Sequence, residues 1–126
     1  MENGGDIFLK AAGPVIIGLH PGTAELVGQL AFSLEADQTP IAICSSSGKM
    51  GHSTSLGQCD LATVVARDAA LADAAATAAA NLVRSIEDVN STLERIAAIE
   101  GIDGVLIVKD DRVGLAGKLP KLVRAP

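Results

Sequence analysis

The stretch from Leu61 to Arg84, which reads LATVVARDAALADAAATAAANLVR, decides the fold of this chain. Its first six residues, Leu61–Ala66, are a short apolar run that predicts a strand. The alanine-rich remainder predicts a helix from Asp68 to Arg84, with Asp68 as its N-cap and Arg84 in its last turn, where a cation complements the helix dipole. The predicted apolar face of this helix consists of residues at three-four spacing, Leu71, Ala75, Ala78 and Leu82.

A second helix is predicted directly after the first. Ser85 is the expected N-cap, and Gly101 is the expected stop, because glycine readily adopts the left-handed conformation that ends many helices. The apolar stripe of this helix is formed by Val89, Leu93, Ile96 and Ala97.

Short strands separated by turn residues account for the rest of the chain. Pro14–Leu19 is a continuous apolar run, which predicts a strand buried on both faces, whereas the alternation within Leu30–Leu34 predicts a half-buried strand. Further strands are predicted at Ile7–Leu9, Ile41–Cys44, Gly104–Val108 and Arg112–Leu115. Together these elements predict one α+β domain over residues 1–126, with a mixed or antiparallel sheet packed by an alanine-rich helix and a second helix.

Composition excludes several classes of protein. A net charge of −5 argues against nucleic acid as a partner, because such binding depends on clustered lysine and arginine. No apolar run reaches the roughly 18 residues of a membrane-spanning helix, and the first residues lack the pattern of a signal peptide, so we expect no membrane partner. Cys44 and Cys59 form no CxxC motif, which favours reduced core thiols and a cytoplasmic location.

The segment Ser45–Lys49 (SSSGK) follows a predicted strand as a run of small polar residues. Such a run can direct backbone N–H groups and hydroxyls at an anion, so it is a candidate phosphate cradle, although composition alone favours an ordinary exposed loop. It is not a Walker A loop, because position 43 is Ile where that motif needs glycine. Gly4, Gly5 and Asp6 form a similar but weaker candidate, since paired glycines commonly make a hairpin turn.

The alanine-rich helix carries a second feature, a stripe of polar residues at Asp73, Thr77 and Asn81. Asp73 and Thr77 are one helical turn apart, so a carboxylate and a hydroxyl can reach one hard cation such as Mg²⁺. The alternative is that this stripe is the solvated face of an amphipathic helix. Its alanine neighbours would let a ligand approach closely.

His52 is the candidate for proton transfer, because histidine titrates near neutral pH. It lies in Gly51–Ser55 (GHSTS), which lacks the final glycine of a serine hydrolase elbow.

In order along the chain, these segments resemble the C-terminal half of the ApbE-like superfamily, which includes the FAD:protein FMN transferases. The residues of these motifs are most similar to the uncharacterised branch of that superfamily. The segments that carry the resemblance are Asn3–Ile7 (NGGDI), Ser46–Gly48 (SSG), His52, Thr63–Ala66 (TVVA), Ala70–Ala78 (ALADAAATA) and Gly117–Pro120 (GKLP).

The resemblance implies a role for each candidate residue. Asp73 and Thr77 would hold Mg²⁺ against the FAD pyrophosphate. His52 would match the family histidine, although Ser53–Gly57 (STSLG) replaces the Asp-Pro-x-Thr-Gly segment that follows it in the transferases. The residues expected to line the nucleotide are Gly4, Gly5, Asp6, Ser46, Ser47 and Gly48.

The expected function is therefore Mg²⁺-dependent binding of a flavin nucleotide or related phosphorylated ligand, with FMN transfer from FAD to a protein threonine or serine as a further possibility. The alternatives are a non-catalytic structural or interaction domain and a phosphate-binding enzyme unrelated to flavin. Because a full-length relative would extend for about as long again upstream, we expect either a missing N-terminal half or a homo-oligomer that completes the site.

Overall fold

The computed structural model describes residues 2–3, 6–10, 13–19, 30–38, 40–46, 59, 61–110 and 112–124. Two α-helices lie within these residues, α1 (Ala69–Leu82) and α2 (Asp88–Ala97). The strands are β1 (Glu2–Asn3), β2 (Asp6–Leu9), β3 (Val15–Gly18), β4 (Leu30–Leu34), β5 (Ile41–Ser46), β6 (Leu61–Ala66), β7 (Ile102–Lys109), β8 (Arg112–Gly117) and β9 (Lys121–Arg124).

The strands form two sheets in which every pairing is antiparallel. The larger sheet has the order β1-β2-β5-β6-β7-β8, and the smaller has the order β3-β4-β9. The predicted α+β class is therefore confirmed, and of the two expected sheet types the antiparallel one is present.

The larger sheet is the middle of three layers. Alternate residues of its central strands point to opposite faces, as in any strand. One set packs with α1 and α2 and includes Ala42, Cys44, Ala62, Val64, Ala66, Val105 and Ile107. The other set packs with the smaller sheet and includes Ile41, Ile43, Leu61, Val65, Leu106 and Val108.

The strand predicted from Pro14–Leu19 exists, but the prediction that it is buried on both faces was wrong. β3 is an edge strand of the smaller sheet, where Ile17 is 8% exposed and Ile16 is 54% exposed. An apolar run shows only that the strand has no polar face, whereas the number of layers covering it depends on the tertiary fold.

Alanine side chains make the contact between α1 and the sheet. Asp68 is the N-cap as predicted, and its carboxylate accepts a hydrogen bond from the backbone N–H of Leu71 at 3.1 Å. The predicted apolar face was wrong at Ala78 and Leu82, which are exposed. The strands beneath α1 are themselves rich in alanine and pack against the face of the helix that has only alanine side chains. The buried residues of α1 are Ala72, Ala75, Ala76, Ala79 and Ala80.

The start of the second helix also differs from the prediction. α1 ends at Leu82, so Arg84 lies beyond it, and α2 begins at Asp88 rather than after Ser85. The Asp88 carboxylate accepts hydrogen bonds from the backbone N–H groups of Arg84 and Ser85, at 3.0 and 3.1 Å. α2 ends at Ala97 with Ala98 as its C-cap, so Gly101, the predicted stop, lies three residues later, in a turn where its φ is +96°. The predicted apolar stripe is confirmed. Val89, Leu93 and Ile96 are buried, and Ala97 is partly buried against the same core.

We predict that Ala76→Leu lowers the free energy of unfolding by about 1–3 kcal/mol, the usual cost of overpacking a closed core. Ala76 is fully buried between α1 and the sheet. The matched control is Ala78→Leu, which adds the same atoms to the exposed side of the same helix. Urea denaturation of both variants measures the difference. Equal destabilisation of the two would contradict the assigned buried face.

We predict that Asp88 gives the chain a stability contribution that disappears in acid. Hydrogen bonds from the backbone N–H groups of Arg84 and Ser85 hold the pKa of Asp88 below its ordinary value of 3.8. A lowered folded-state pKa stabilises the fold above the unfolded-state value, and this is lost as pH falls through the folded-state value. The stability difference between the wild type and Asp88→Asn should therefore be constant near neutral pH and shrink below about pH 4.

The control is Glu87→Gln, because the Glu87 side chain makes no capping hydrogen bond. A difference between wild type and Asp88→Asn that stayed constant down to pH 2 would contradict the role of the Asp88 carboxylate.

Candidate functional site

The structure describes some of the candidate residues and leaves others outside. Ser46, Asp73 and Thr77 are described fully, and Asp6 is described by its backbone. The predictions that fall outside the described residues are those for Gly4, Gly5, Ser47, Gly48 and His52.

Two of the predicted nucleotide-contacting segments meet at one end of the larger sheet. Asp6 begins β2 opposite Cys44, and Ser46 ends β5 two residues after Cys44. Because β2 and β5 are neighbouring antiparallel strands, the start of one lies beside the end of the other. The fold thus brings together the Asp6 and Ser46 segments, which are 40 positions apart in the sequence.

The serines at the end of β5 have different surroundings. The hydroxyl groups of Ser45 and Thr63 are 2.8 Å apart and hydrogen-bonded, and Thr63 is completely buried. Ser45 alternates with Cys44, which packs on the α1 side, so the Ser45–Thr63 pair lies on the face toward the smaller sheet. Ser46 is half-buried on the α1 side of the sheet.

Asp73 and Thr77 lie on the flank of α1 that faces β2. Leu71 points to the opposite flank, because a Cβ atom on Gly101, just before β7, would lie 2.8 Å from Leu71 Cδ2. Each helical residue turns by about 100°, so Asp73 is about 200° around the axis from Leu71. Since α1 packs on β5 and β6, which lie between β2 and β7, this direction is toward β2. The Asp73 and Thr77 side chains are both exposed there.

The aromatic ring of Phe8 borders the same flank. Phe8 pairs with Ala42, a residue of the core between α1 and the sheet, so Phe8 is on the α1 face of β2. It is nevertheless 53% exposed, because α1 packs mainly over β5 and β6 rather than over β2. Sequence reasoning missed this residue, although an apolar side chain at the outward position between Ile7 and Leu9 was a signal. We use the name α1–β2 groove for the surface of α1 and β2 that carries Phe8, Asp73 and Thr77.

The α1–β2 groove offers oxygen ligands for a hard cation but not a complete coordination shell. Within the described part of the chain, no three His, Cys, Asp or Glu side chains converge. Asp73 and Thr77 supply a carboxylate and a hydroxyl one turn apart, which fits Mg²⁺ because that ion commonly keeps several waters and binds substrate phosphates. The donor set fits a cation that arrives with a phosphorylated ligand better than a permanently held structural ion.

The two cysteines are structural, as the sequence predicted. Neither forms a disulfide, and both are buried. The Cys44 thiol donates to the carbonyl oxygen of Ala69 over 3.7 Å, which ties β5 to the start of α1. The Cys59 thiol lies 3.1 Å from the carbonyl oxygen of Leu61 and 3.5 Å from that of Val108.

Among the described residues, neither helix combines the length and the apolar character needed to cross a membrane.

Similar proteins place the chain in a family. The UPF0280 protein of Methanocaldococcus jannaschii is 43% identical over 128 residues, which cover 98% of this chain and 52% of the relative. The UPF0280 protein of Archaeoglobus fulgidus is 41% identical over 129 residues, which cover 99% of this chain and 52% of the relative. The chain therefore spans about half the length of the curated relatives it matches. The family model described as AbpE bacteria matches residues 1–113, and the chain accordingly belongs to that family.

Proposed function

We propose that this chain binds a flavin nucleotide or related phosphorylated ligand in the α1–β2 groove, with Mg²⁺ held by Asp73 and Thr77. One observation carries the proposal. Asp73 and Thr77 lie on the flank of α1 that faces β2, and β2 carries the exposed Phe8. The resemblance to the ApbE-like transferases supports the same assignment.

The chemistry of α1 suits a metal-bound phosphate. Asp73 and Thr77 are four positions apart, a rise of about 6 Å along the axis, so both oxygens reach the same side of the helix. The exposed neighbour Ala74 has only a methyl side chain and leaves room for a phosphate beside it. When bound, Mg²⁺ would neutralise the charge of that phosphate and hold it in a fixed orientation.

Phe8 supplies the groove with a surface for a planar ring. The chain contains two aromatic residues, and the other, Phe32, is completely buried between the sheets. Stacking on an aromatic side chain stabilises bound heteroaromatic rings because both partners have flat, polarisable faces. A ligand with a planar ring at one end and phosphate at the other would use both ends of the groove, and a flavin nucleotide has this form.

FMN transfer is the further activity that the resemblance suggests. In that reaction a threonine or serine hydroxyl oxygen of an acceptor protein forms a bond to the FMN phosphorus of FAD. The anhydride P–O bond breaks, and AMP leaves with the bonding electrons. The hydroxyl proton passes to a base, for which His52 is the candidate. In this chain Asp73 and Thr77 would orient the phosphates for that attack.

The longer relatives bear on how the site is completed. The curated relatives are about twice as long as this chain, so the matched half need not hold every ligand contact of the whole protein. We propose that the remaining contacts come from the equivalent of the other half or from a second copy of the chain.

A non-catalytic structural or interaction domain is the second candidate function. It is favoured by the apolar side chains exposed on β8, where Leu115 is 51% exposed and Val113 is 38% exposed. Such a domain would bind neither metal nor nucleotide.

We predict that FAD raises the melting temperature only when Mg²⁺ is present, and that Asp73→Ala abolishes this shift, because a ligand stabilises the folded state according to its affinity. The matched control is Glu94→Ala, which removes another exposed carboxylate, from α2. Release of AMP measured in the same samples separates transfer chemistry from binding. A shift that is unchanged by Asp73→Ala or by EDTA would contradict the metal site.

We predict that Phe8→Leu weakens FMN binding by about 1–3 kcal/mol, the range found for loss of one stacked ring, while Phe8→Tyr retains it. Inorganic pyrophosphate with Mg²⁺ serves as the ligand without a ring, and its affinity should be the same in both variants. Titration calorimetry measures the affinities. Equal FMN affinity in the wild type and Phe8→Leu would rule out stacking on Phe8.

A further inference from the structure

The outer edge of β8 is the longest strand edge that the described part of the chain leaves unpaired. β8 pairs with β7 from Arg112 to Gly117, and no described strand pairs with its other side. An unpaired edge presents free N–H and C=O groups, which can bind another strand unless the edge is protected.

The other strand edges carry protection that β8 lacks. β1 has two residues, and β3 has four and follows Pro14. β9 has four residues with Lys121 and Arg124 at its ends. β8 has six residues, and after Arg112 they are all uncharged, with no proline and no break in the register with β7. Short length, proline and charge are the usual devices that prevent edge pairing.

The side chains of β8 extend the core beyond the cover of the smaller sheet. Val113 and Leu115 stand opposite Val108 and Leu106, which are completely buried between the two sheets. Opposed residues share a face, so the exposed Val113 and Leu115 continue this apolar surface to the edge.

The other face of β8 is closed by α2. A Cβ atom on Gly114 would lie 2.7 Å from Leu93 Cδ1 and 3.0 Å from Val89 Cγ1. α2 therefore covers the Gly114 face of β8. The outer edge of β8 and the face that carries Val113 and Leu115 stay exposed.

We infer that a second copy of this chain pairs with β8 through its own β8, antiparallel about a two-fold axis. With Gly114 opposite its equivalent, Val113 lies opposite the partner's Leu115, and Arg112 lies opposite the partner's Ala116. The pairing joins four exposed apolar side chains into one cluster and places no like charges opposite each other within the strands.

Charges beyond the strand ends favour the same occupant. Antiparallel pairing brings the start of one β8 to the end of the other. Asp110, whose side chain is 52% exposed, precedes β8, and the exposed Lys118 follows it. Each end of the paired strands therefore brings Asp110, whose carboxylate is also 3.5 Å from Lys109 Nζ of its own chain, beside the partner's Lys118, although each chain carries a net charge of −5. A self-complementary edge of this kind suits an isologous dimer.

Sedimentation velocity of the purified chain at micromolar concentrations tests the dimer. We expect a mass about twice that of the 12.7 kDa chain, and at least a tenfold weaker association for Leu115→Lys. Ile16→Lys is the matched control, because Ile16 is similarly exposed at 54% and also lies on an edge strand. A monomeric wild type, or equal weakening by the two substitutions, would overturn the inference.

Cross-linking tests the register independently of association strength. Opposed residues in antiparallel strands have Cβ atoms about 4.5–5.5 Å apart, close enough for a disulfide after small adjustments. The double variant Val113→Cys/Leu115→Cys should therefore give a covalent dimer on mild oxidation, with its melting temperature confirming that it folds. Failure of this folded variant to cross-link would contradict the proposed register.

Discussion

Alanine packing between α1 and the larger sheet is the constraint on which the rest of the structure depends. The buried face of α1 has only methyl side chains, and the strands below it contribute Ala42, Ala62 and Ala66. Small residues on both sides let the helix backbone approach the sheet closely, because packed interiors leave little empty volume. The Cys44 thiol, hydrogen-bonded to the Ala69 carbonyl, fixes the start of the helix in this position.

This packing determines where the polar residues of α1 lie. Once Ala72 and Ala76 face the sheet, the helical period turns Asp73 and Thr77 toward β2 and turns Leu71 toward Gly101. The same sheet order places Phe8 on the β2 side and brings the end of β5 beside the start of β2. The α1–β2 groove therefore follows from the choice of buried face, and a helix rotated by one residue would not form it.

The sequence predicted the class of the fold and the existence of both helices, because Asp68 and the stripe at Val89, Leu93 and Ile96 are local signals. It did not identify the buried face of α1, because alanines occur on every side of this helix. Which of them are buried depends on the packing against the alanine-rich strands. The start of α2 was misplaced because the Asp88 carboxylate accepts hydrogen bonds from the backbone N–H and the hydroxyl of Ser85. Residues 85–87 therefore form a turn before the helix. The pairing of β9 with β4 could not be predicted, because their separation in sequence leaves no local pattern.

The candidate site was predictable to a similar degree. Spacing placed Asp73 and Thr77 on one side of a helix, but the direction of that side depends on the tertiary contact at Gly101. The Asp6 and Ser46 segments were singled out separately, and their proximity depends on the β2–β5 pairing. Phe8 was not predicted as a site residue, because its exposure depends on α1 packing mainly over β5 and β6.

Paramagnetic NMR with Mn²⁺ in place of Mg²⁺ tests most directly whether the α1–β2 groove holds metal and nucleotide together. In the presence of FMN, the account predicts that Mn²⁺ broadens the backbone amides around Asp73 and Thr77 most strongly, while FMN shifts the signals of the Phe8 ring. Broadening centred on the carboxylates of α2, or FMN binding that leaves the Phe8 signals unchanged, would contradict the account.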